Sequence, residues 1–323
     1  MKGDLSGQAL YAPNTVYLEV TNKCNLKCKH CYSMANEDGY ELPLNEIKAL
    51  FKRLDEIGTF GVVLGGGEPL MREDIVHIIN LANKYNLLVG LSTNGILVNK
   101  EFLKNTRDKI SNIQISLDGH TDEEHERLRN KKGIFKDTLQ AIKLLSDNNF
   151  HVTVSTVITN DNVNYIDKII EIALENGAKT YRATKLIKSG NALKNNLDIV
   201  DFKFISKYLE ELKEKYSKEI DIEIDSEFYD NKSFCTAGKE TIAINYKGDV
   251  YFCAFLSNPK FICGNIMEKD IHNIWLNSRK LKEIRQLDKI LNCKECENNN
   301  NNCFSNCKAM LLNNCSKLDS YDF

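Results

Sequence analysis

The sequence lacks three features, each of which would have indicated a particular class of protein. Its formal net charge is only -2, so the overall charge does not favour binding to nucleic acid. It contains no apolar run near the roughly 20 residues that a transmembrane helix needs. The opening segment MKGDLSGQAL does not resemble a signal peptide. We therefore expect a cytoplasmic protein that binds neither nucleic acid nor membranes.

Cysteine is absent between Cys31 and Cys235, yet the chain contains 11 cysteines. Three lie at positions 24 to 31, and eight lie between 235 and 315. An odd number of cysteines without an export signal argues against a disulfide framework, because cytosolic thiols stay reduced. Ligation of a metal or an iron–sulfur cluster explains the clustering better than disulfides or unligated core thiols do.

Short apolar runs alternate with helical periodicity over the first 195 residues of this 323-residue chain. This alternation predicts parallel strands joined by right-handed helical crossovers. The predicted fold class is α/β, a partial (β/α)6 TIM-like barrel over residues 14–195. Its strands are expected at 16–20, 60–66, 87–93, 112–118, 151–159 and 179–187.

The pattern changes after residue 195. A charged helix and a short β-run, IDIEID, form a predicted connector over residues 196–230. TIAINYKGDVYFCAF then predicts a β-hairpin that turns at Lys247-Gly248. This hairpin belongs to a small cysteine-rich domain predicted over residues 231–323, in which the asparagine run at 298–302 is a loop between ligands.

Four polar or glycine-rich motifs follow the first four predicted strands. They are the loop from Cys24 to Cys31, GGGEPL at 65–70, STNG at 92–95 and SLDG at 116–119. Taken singly, the last three are typical of tight turns. In a parallel sheet, however, the carboxyl ends of the strands lie along one edge, where ligands bind. We therefore predict that these four rim motifs form one site.

The cysteine loop has the spacing C-x3-C-x2-C. Three thiolates can bind three irons of a 4Fe-4S cubane, which leaves one iron open to chelate a small molecule with an amine and a carboxylate. The alternative is a structural zinc site, which needs four protein ligands and would use His30 as the fourth. Because His30 is adjacent to Cys31, ligation by both residues would be awkward.

CNLKCKHCY, GGGEP, STNG and SLDG together resemble the radical S-adenosylmethionine (SAM) superfamily, over residues 14–195. The resemblance implies that Cys24, Cys28 and Cys31 bind a 4Fe-4S cluster whose open iron is chelated by SAM. Reductive cleavage of SAM then gives a 5′-deoxyadenosyl radical that abstracts a substrate hydrogen. The SAM contacts implied by the resemblance fall on Gly66, Gly67, Glu68, Ser92, Asn94, Ser116, Asp118 and Arg129.

Arg129 and His30 are the two positions at which the comparison with the superfamily involves a choice or a departure. Arg129 is preferred to Arg127 because it stands where the superfamily usually has the arginine that meets the SAM carboxylate. His30 stands where the superfamily usually has an aromatic residue, although imidazole can also stack near the adenine.

The distal cysteines resemble the SPASM extension, which holds two auxiliary 4Fe-4S clusters, over residues 231–323. The gap from Cys296 to Cys303 is one residue longer than in that pattern. The resemblance implies an inner cluster bound by Cys235, Cys253 and Cys307. It implies an outer cluster bound by Cys293, Cys296, Cys303 and Cys315.

Cys263 is left without a place in this pattern. Three alternatives stay open: Cys263 completes the inner cluster, the inner cluster has an open iron, or Cys263 is a catalytic hydrogen donor or a buried thiol. A zinc ribbon built on CKEC and CFSNC is the alternative for the whole domain.

Auxiliary clusters favour oxidation or crosslinking over a redox-neutral rearrangement. The resemblance implies an enzyme that crosslinks, oxidises or epimerises a ribosomal peptide or a protein, with a flavodoxin or ferredoxin as electron donor. The alternatives are an anaerobic sulfatase maturase, an enzyme acting on haem precursors or other small molecules, and a non-enzymatic iron–sulfur electron carrier.

Two segments of the sequence, the one before the first predicted strand and KLIKSGNA, bear on how a substrate binds. Few residues precede the first predicted strand, so we expect no leader-binding winged-helix domain there. A peptide substrate would then need a separate leader-binding protein or direct binding. KLIKSGNA at 185–192, after the sixth strand, is expected on the substrate side.

Overall fold

The computed structural model describes residues 9–35, 39–198, 200, 202–224, 235–256, 258–286, 307–309 and 312. Its strands are β1 (Thr15–Thr21), β2 (Gly61–Gly66), β3 (Leu88–Thr93), β4 (Asn112–Ser116), β5 (Val152–Ile158), β6 (Thr180–Lys185), β7 (Asp221–Ile224), β8 (Thr241–Ile244), β9 (Asp249–Tyr251) and β10 (Gly264–Asn265). They form one sheet in the order β10-β9-β8-β1-β2-β3-β4-β5-β6-β7.

The first eight helices lie along the chain between parallel strands, and the last two follow β10. They are α1 (Leu44–Glu56), α2 (Ile75–Lys84), α3 (Lys100–Thr106), α4 (Asp122–Arg129), α5 (Ile134–Asp147), α6 (Ile166–Glu175), α7 (Gly190–Lys194), α8 (Phe202–Lys215), α9 (Ile271–Asn277) and α10 (Arg279–Arg285). Short 3-10 turns lie at Pro69–Met71, Val163–Tyr165 and Pro259–Phe261. Within the described ranges, no helix is both long enough and apolar enough to span a membrane.

Strands β1 to β7 run parallel, each beside the next one along the chain. The strands and crossover helices predicted from periodicity are therefore confirmed, and the predicted run IDIEID contributes β7 to the same sheet. Amphipathic helices bury one apolar stripe in the core, as Ile47, Leu50, Phe51 and Leu54 do in α1. The fold is the predicted partial α/β barrel.

The strands alternate between a helix-covered outer face and an inner face. In β1, Val16, Leu18 and Val20 are at most 1% exposed and belong to the hydrophobic core, whereas Tyr17 and Glu19 point to the inner face. Hydrogen bonds between neighbouring inner-face side chains join Ser155 to Thr184 and Arg182 to Gln114. Parallel strands packed on both faces are usually apolar throughout. The polar inner face is therefore suited to contact a polar ligand.

The carboxy-terminal segment extends the barrel sheet. Strand β8 pairs with β1 in parallel, and the predicted hairpin of β8 and β9 is confirmed. Asn245 shapes its turn, since its Oδ1 accepts from the backbone N–H of Lys247 and Asp249, both at 2.9 Å. The Trp275 indole donates to the Leu10 carbonyl at 2.8 Å and fixes α9 to the start of the described chain. The predicted domain boundaries themselves stay predictions.

Candidate active site

The four rim motifs lie at one edge of the sheet. The cysteine loop begins where β1 ends, and GGGEP begins with the last two residues of β2. Asn94 follows β3, and Asp118 lies two residues beyond β4. Strands β1 to β4 are adjacent and parallel, so their carboxyl ends coincide. The sheet thus brings together segments that are separated by up to about a hundred residues of chain.

The cysteine loop presents thiols in a largely dry environment. Cys24 and Cys28 are each 8% exposed, Cys31 is half-buried, and none of the three forms a disulfide. Burial raises the pKa of the Cys24 thiol to about 12 and that of Cys28 to about 11, although Arg129 lowers the latter in part. Such thiols become thiolates only against a strong positive charge, as a metal cluster provides. The donor set therefore fits an iron–sulfur cluster.

No three His, Cys, Asp or Glu side chains in the described ranges converge on a point that could hold a single metal ion. Each thiolate of a cubane binds its own iron, so the cluster does not require such convergence.

GGGEP packs directly on the cysteine loop, which explains its glycines. Gly67 N–H donates to Thr21 O at 2.8 Å, and Glu68 N–H donates to Lys23 O at 2.7 Å. A Cβ on Gly67 would lie 2.1 Å from Lys23 O, and Gly66 adopts a φ of 117° that side chains rarely tolerate. Larger residues would therefore push the two loops apart.

The Glu68 carboxylate accepts three hydrogen bonds from other groups of the protein. Its Oε1 accepts from Thr93 Oγ1 at 2.7 Å and from Leu70 N–H at 3.0 Å, and its Oε2 accepts from Asn94 N–H at 2.8 Å. Burial raises the pKa of Glu68, and these hydrogen bonds oppose that rise. Its side chain therefore ties the second rim motif to the third. The part of GGGEP that remains for the predicted SAM amino group is its backbone.

Asn94 supports the cysteine loop from the next strand. Its Nδ2 donates to Asn25 Oδ1 at 2.7 Å, and the side chain is 8% exposed. Ser92 and Ser116 are half-buried and, by strand alternation, lie on the inner face of the barrel. The predicted contacts of these three residues with SAM stay predictions.

Asp118 and Arg129 form a buried ion pair beside the cysteine loop. Arg129 Nε lies 2.6 Å from Asp118 Oδ2, and Arg129 Nη1 lies 3.9 Å from Cys28 Sγ. Asp118 Oδ1 also accepts from Val157 N–H at 2.9 Å. Burial alone would raise the pKa of Asp118. Arg129, together with His30 and His125, holds this pKa below its usual value. A fixed positive charge therefore stands next to a predicted cluster ligand.

The two candidate arginines of α4 occupy different environments. Arg129 is 8% exposed and points to the cysteine loop. Arg127 pairs with Asp161 at 3.4 Å, and its side chain is 43% exposed. The preference for Arg129 agrees with this geometry, although its contact with SAM stays a prediction.

His30 is buried in the same network. Burial lowers its pKa to about 4, with Asp118 opposing the shift, so the ring is neutral at pH 7. Its Nε2 lies 3.9 Å from Asp118 Oδ2, and its Nδ1 has no hydrogen-bond partner among the described residues. A ring nitrogen in this position is suited to form a hydrogen bond with a polar ligand.

Helix α7 supports the cysteine loop through hydrogen bonds that the sequence did not predict. Asn191 donates from its backbone N–H to Cys31 O at 2.8 Å and from Nδ2 to Cys28 O at 3.1 Å. A Cβ on Gly190 would lie 2.4 Å from Tyr32 O, so α7 packs closely against the cysteine loop. KLIKSGNA was predicted on the substrate side, but nothing in its pattern indicated that it orders the predicted cluster ligands.

The distal cysteines divide into two groups. Cys235, Cys253 and Cys263 are partly buried and pack against the core cluster that contains buried Cys307. The predicted outer ligands lie outside the described residues: Cys293, Cys296, Cys303 and Cys315.

Cys263 lies close to α10. Its thiol donates to Phe261 O at 3.4 Å, and burial raises its pKa to about 12 against smaller effects of Lys280 and Arg285. Whether Cys263 is a ligand, a hydrogen donor or a structural thiol stays open.

Two family profiles match the chain. The profile of the radical SAM superfamily matches residues 18–173, and that of the SPASM iron–sulfur cluster-binding domain matches residues 235–298. The first range contains every rim motif and the second contains the β8–β9 hairpin.

Named relatives are similar over most of their length. The chain is 30% identical to mycofactocin maturase MftC of Mycolicibacterium smegmatis over 308 residues, which cover 90% of this chain and 76% of that protein. It is 27% identical to the AdoMet-dependent heme synthase of Methanosarcina barkeri, covering 88% of this chain and 89% of that protein. The structure of Streptococcus suis SuiB bound to precursor peptide SuiA has a TM-score of 0.74 at 17% identity, covering 86% of this chain and 67% of that one. This last similarity concerns the fold alone.

Proposed function

This chain belongs to the radical SAM superfamily, and we propose that it uses radical chemistry to modify a ribosomal peptide or a protein. Family membership makes it an enzyme that uses SAM and iron–sulfur clusters. The observation that carries the proposal is the joining of the four rim motifs into one hydrogen-bonded site around Cys24, Cys28 and Cys31.

The residues of this site have distinct roles in the proposal. When bound, the cluster and SAM supply a 5′-deoxyadenosyl radical that abstracts a hydrogen atom from the substrate. Cys24, Cys28 and Cys31 hold the cluster, and Arg129 offers a guanidinium to the SAM carboxylate. The backbone of GGGEP accepts from the SAM amino group. The remaining contacts with SAM are assigned to Ser92, Asn94, Ser116 and Asp118.

We assign two further clusters to the carboxy-terminal domain. Cys235, Cys253 and Cys307 bind the inner one, and Cys293, Cys296, Cys303 and Cys315 bind the outer one. The match to an iron–sulfur cluster-binding domain supports this assignment. Three 4Fe-4S clusters correspond to about twelve irons per chain.

A peptide or protein is the proposed substrate. Support comes from the maturase relative and from the shared fold with SuiB, which was solved with a precursor peptide. The enzyme would receive electrons from a flavodoxin or ferredoxin, and it would bind its substrate either directly or with a separate leader-binding protein. We place it in the cytoplasm, because free thiols and reduced clusters persist in a reducing compartment.

A small-molecule substrate is the second candidate. It is favoured by the heme synthase relative, whose sequence aligns with this chain over 89% of its length. A tetrapyrrole with propionate side chains is the matching probe. Loss of carbon dioxide from this probe, with no change in any candidate peptide, would favour the second candidate.

Anaerobic reconstitution tests the proposed function. With SAM and dithionite, the wild-type enzyme should release 5′-deoxyadenosine, measured by mass spectrometry. The Cys24/Cys28/Cys31→Ala variant should form none and should lose about four irons per chain. If the wild-type enzyme bound its irons but formed no 5′-deoxyadenosine, even with candidate peptides and the tetrapyrrole, radical catalysis would be ruled out.

A further inference from the structure

Glu19 is a buried acid that the predicted SAM contacts do not use. It lies on β1, and strand alternation turns its side chain to the inner face of the barrel. It is 8% exposed. A Cβ placed on Gly66 would lie 3.0 Å from Glu19 Cβ, so the acid stands directly beside the GGGEP motif. Glu19 therefore lies on the inner face of the barrel, next to the proposed SAM site.

The surroundings of Glu19 provide no compensating cation among the described residues. Its polar contact is the backbone N–H of Tyr246, in the turn between β8 and β9. The titratable groups that interact with it are phenols, Tyr32 of the cysteine loop and Tyr251 of β9, and the pKa of each is raised by burial. Asp249, beyond Tyr251, is a further acid and not a cation. An isolated buried carboxylate is costly, so this group readily takes up a proton.

Tyr32 connects Glu19 to the two cysteine-bearing regions. The ring of Tyr32 packs edge-on against Phe255, with centroids 5.1 Å apart. Tyr32 interacts electrostatically with Glu19, Cys31 and Cys253. A substrate held between the proposed SAM site and the inner auxiliary cluster would therefore pass within reach of the Glu19 carboxyl.

From this arrangement we infer that Glu19 is a catalytic base, which accepts the proton that the substrate loses as its radical is oxidised. The inference rests on the proposed function and narrows it to net oxidation. After hydrogen abstraction, the substrate radical gives one electron to an iron–sulfur cluster of the carboxy-terminal domain. An N–H, O–H or S–H of the substrate gives its proton to the Glu19 carboxylate, and its electron pair forms the new bond.

The titration of Glu19 suits this task. Burial raises its pKa to about 8, with the Tyr246 N–H opposing the rise. A base whose pKa is near the working pH is both available as carboxylate and strong enough to take a proton. A redox-neutral epimerisation would involve no such proton loss.

The protonation of Glu19 can be measured without a substrate. Infrared spectra of the reconstituted enzyme should contain a C=O band of a protonated carboxylic acid that disappears as the pH rises through about 8. The band should be missing in Glu19→Gln and unchanged in Glu56→Gln, which alters an exposed acid on α1. A band with this pH dependence that persists in Glu19→Gln, or the lack of such a band in the wild type, would overturn the assignment.

Turnover separates this inference from the proposed function. The probe is a synthetic peptide encoded by the short cysteine- or threonine-rich reading frame nearest the gene. Glu19→Gln should still form 5′-deoxyadenosine but give about 100-fold less oxidised peptide per 5′-deoxyadenosine. In the wild type this ratio should rise with pH through about 8, and Glu19→Asp should partly restore it.

The remaining outcomes have different meanings. Equal ratios and equal pH profiles in the wild type and Glu19→Gln would show that Glu19 is not the base, while radical chemistry would stand. Absence of 5′-deoxyadenosine from both proteins would refute the proposed function, and the inference with it.

Discussion

At the mouth of the barrel, Asp118 and Glu19 are buried acids whose pKa values shift in opposite directions. Asp118, beyond β4, lies against Arg129, and its pKa is below its usual value. Glu19, between β2 and β8, meets neutral groups in the described part of the chain, and its pKa rises to about 8. Both are at most 8% exposed. The difference teaches that the neighbouring charge, and not burial, decides whether a buried carboxyl stays ionised.

Removing Arg129, the cation beside Asp118, should have the largest effect on stability. Arg129→Ala leaves the Asp118 carboxylate buried without its partner, so we expect a loss of about 3–5 kcal/mol in the free energy of unfolding. Formation of 5′-deoxyadenosine should also fall sharply, because the proposed SAM contact is lost. Urea unfolding and product analysis measure the two effects.

Arg127→Ala is the matched control for that experiment, since Arg127 lies on the same helix and pairs at the surface with Asp161. It should cost less than about 1 kcal/mol. Equal losses in the two variants would contradict the importance of the buried pair.

On the other side, Glu19→Gln should stabilise the protein as the pH rises. The usual pKa of a glutamate is 4.5, and that of folded Glu19 is about 8. Between these values the unfolded chain ionises Glu19 while the folded protein keeps it protonated, so the wild type loses stability with increasing pH. The advantage of the variant should grow between pH 5 and 8, to on the order of a few kcal/mol, and then level off.

Urea unfolding between pH 5 and 9 measures this advantage. Glu56→Gln, on the surface of α1, should show no comparable trend. An advantage that does not change with pH would mean that Glu19 has the same pKa in the folded and unfolded chain.

The smallest expected effect on stability comes from loss of a hydrogen bond that holds the cysteine loop. Asn191→Ala removes the bond from Nδ2 to Cys28 O and should cost about 1 kcal/mol in unfolding free energy. Leu193→Ala, on the same helix and 63% exposed, should change stability by less than about 0.5 kcal/mol. If both substitutions were neutral, α7 would not order the loop.

Much of the fold and the site was predictable because the relevant signals are local. Alternation of apolar residues identified strands such as β1 and β4, and the parallel-sheet rule then put Cys24, Gly67, Asn94 and Asp118 on one edge. The preference for Arg129 over Arg127 came from the family resemblance, in which an arginine usually stands at this position, and in the structure Arg129 Nη1 lies 3.9 Å from Cys28 Sγ.

Other features depend on contacts between distant segments. The pairing of β8 with β1 joins residues more than two hundred positions apart, and neither strand encodes its neighbour. Glu68 stood in a recognisable motif, but only the fold turns its carboxylate to Thr93 and Asn94. Glu19 had no motif at all, and its raised pKa follows from its burial in the folded protein.

By itself, the sequence determined the order of strands and helices and the motifs at the strand ends, because periodicity and residue spacing act along the chain. Only the tertiary structure decided which buried charges have partners. That outcome depends on burial and on distances across the sheet, which place Arg129 Nε 2.6 Å from Asp118 Oδ2 and put Glu19 beside neutral groups among the described residues.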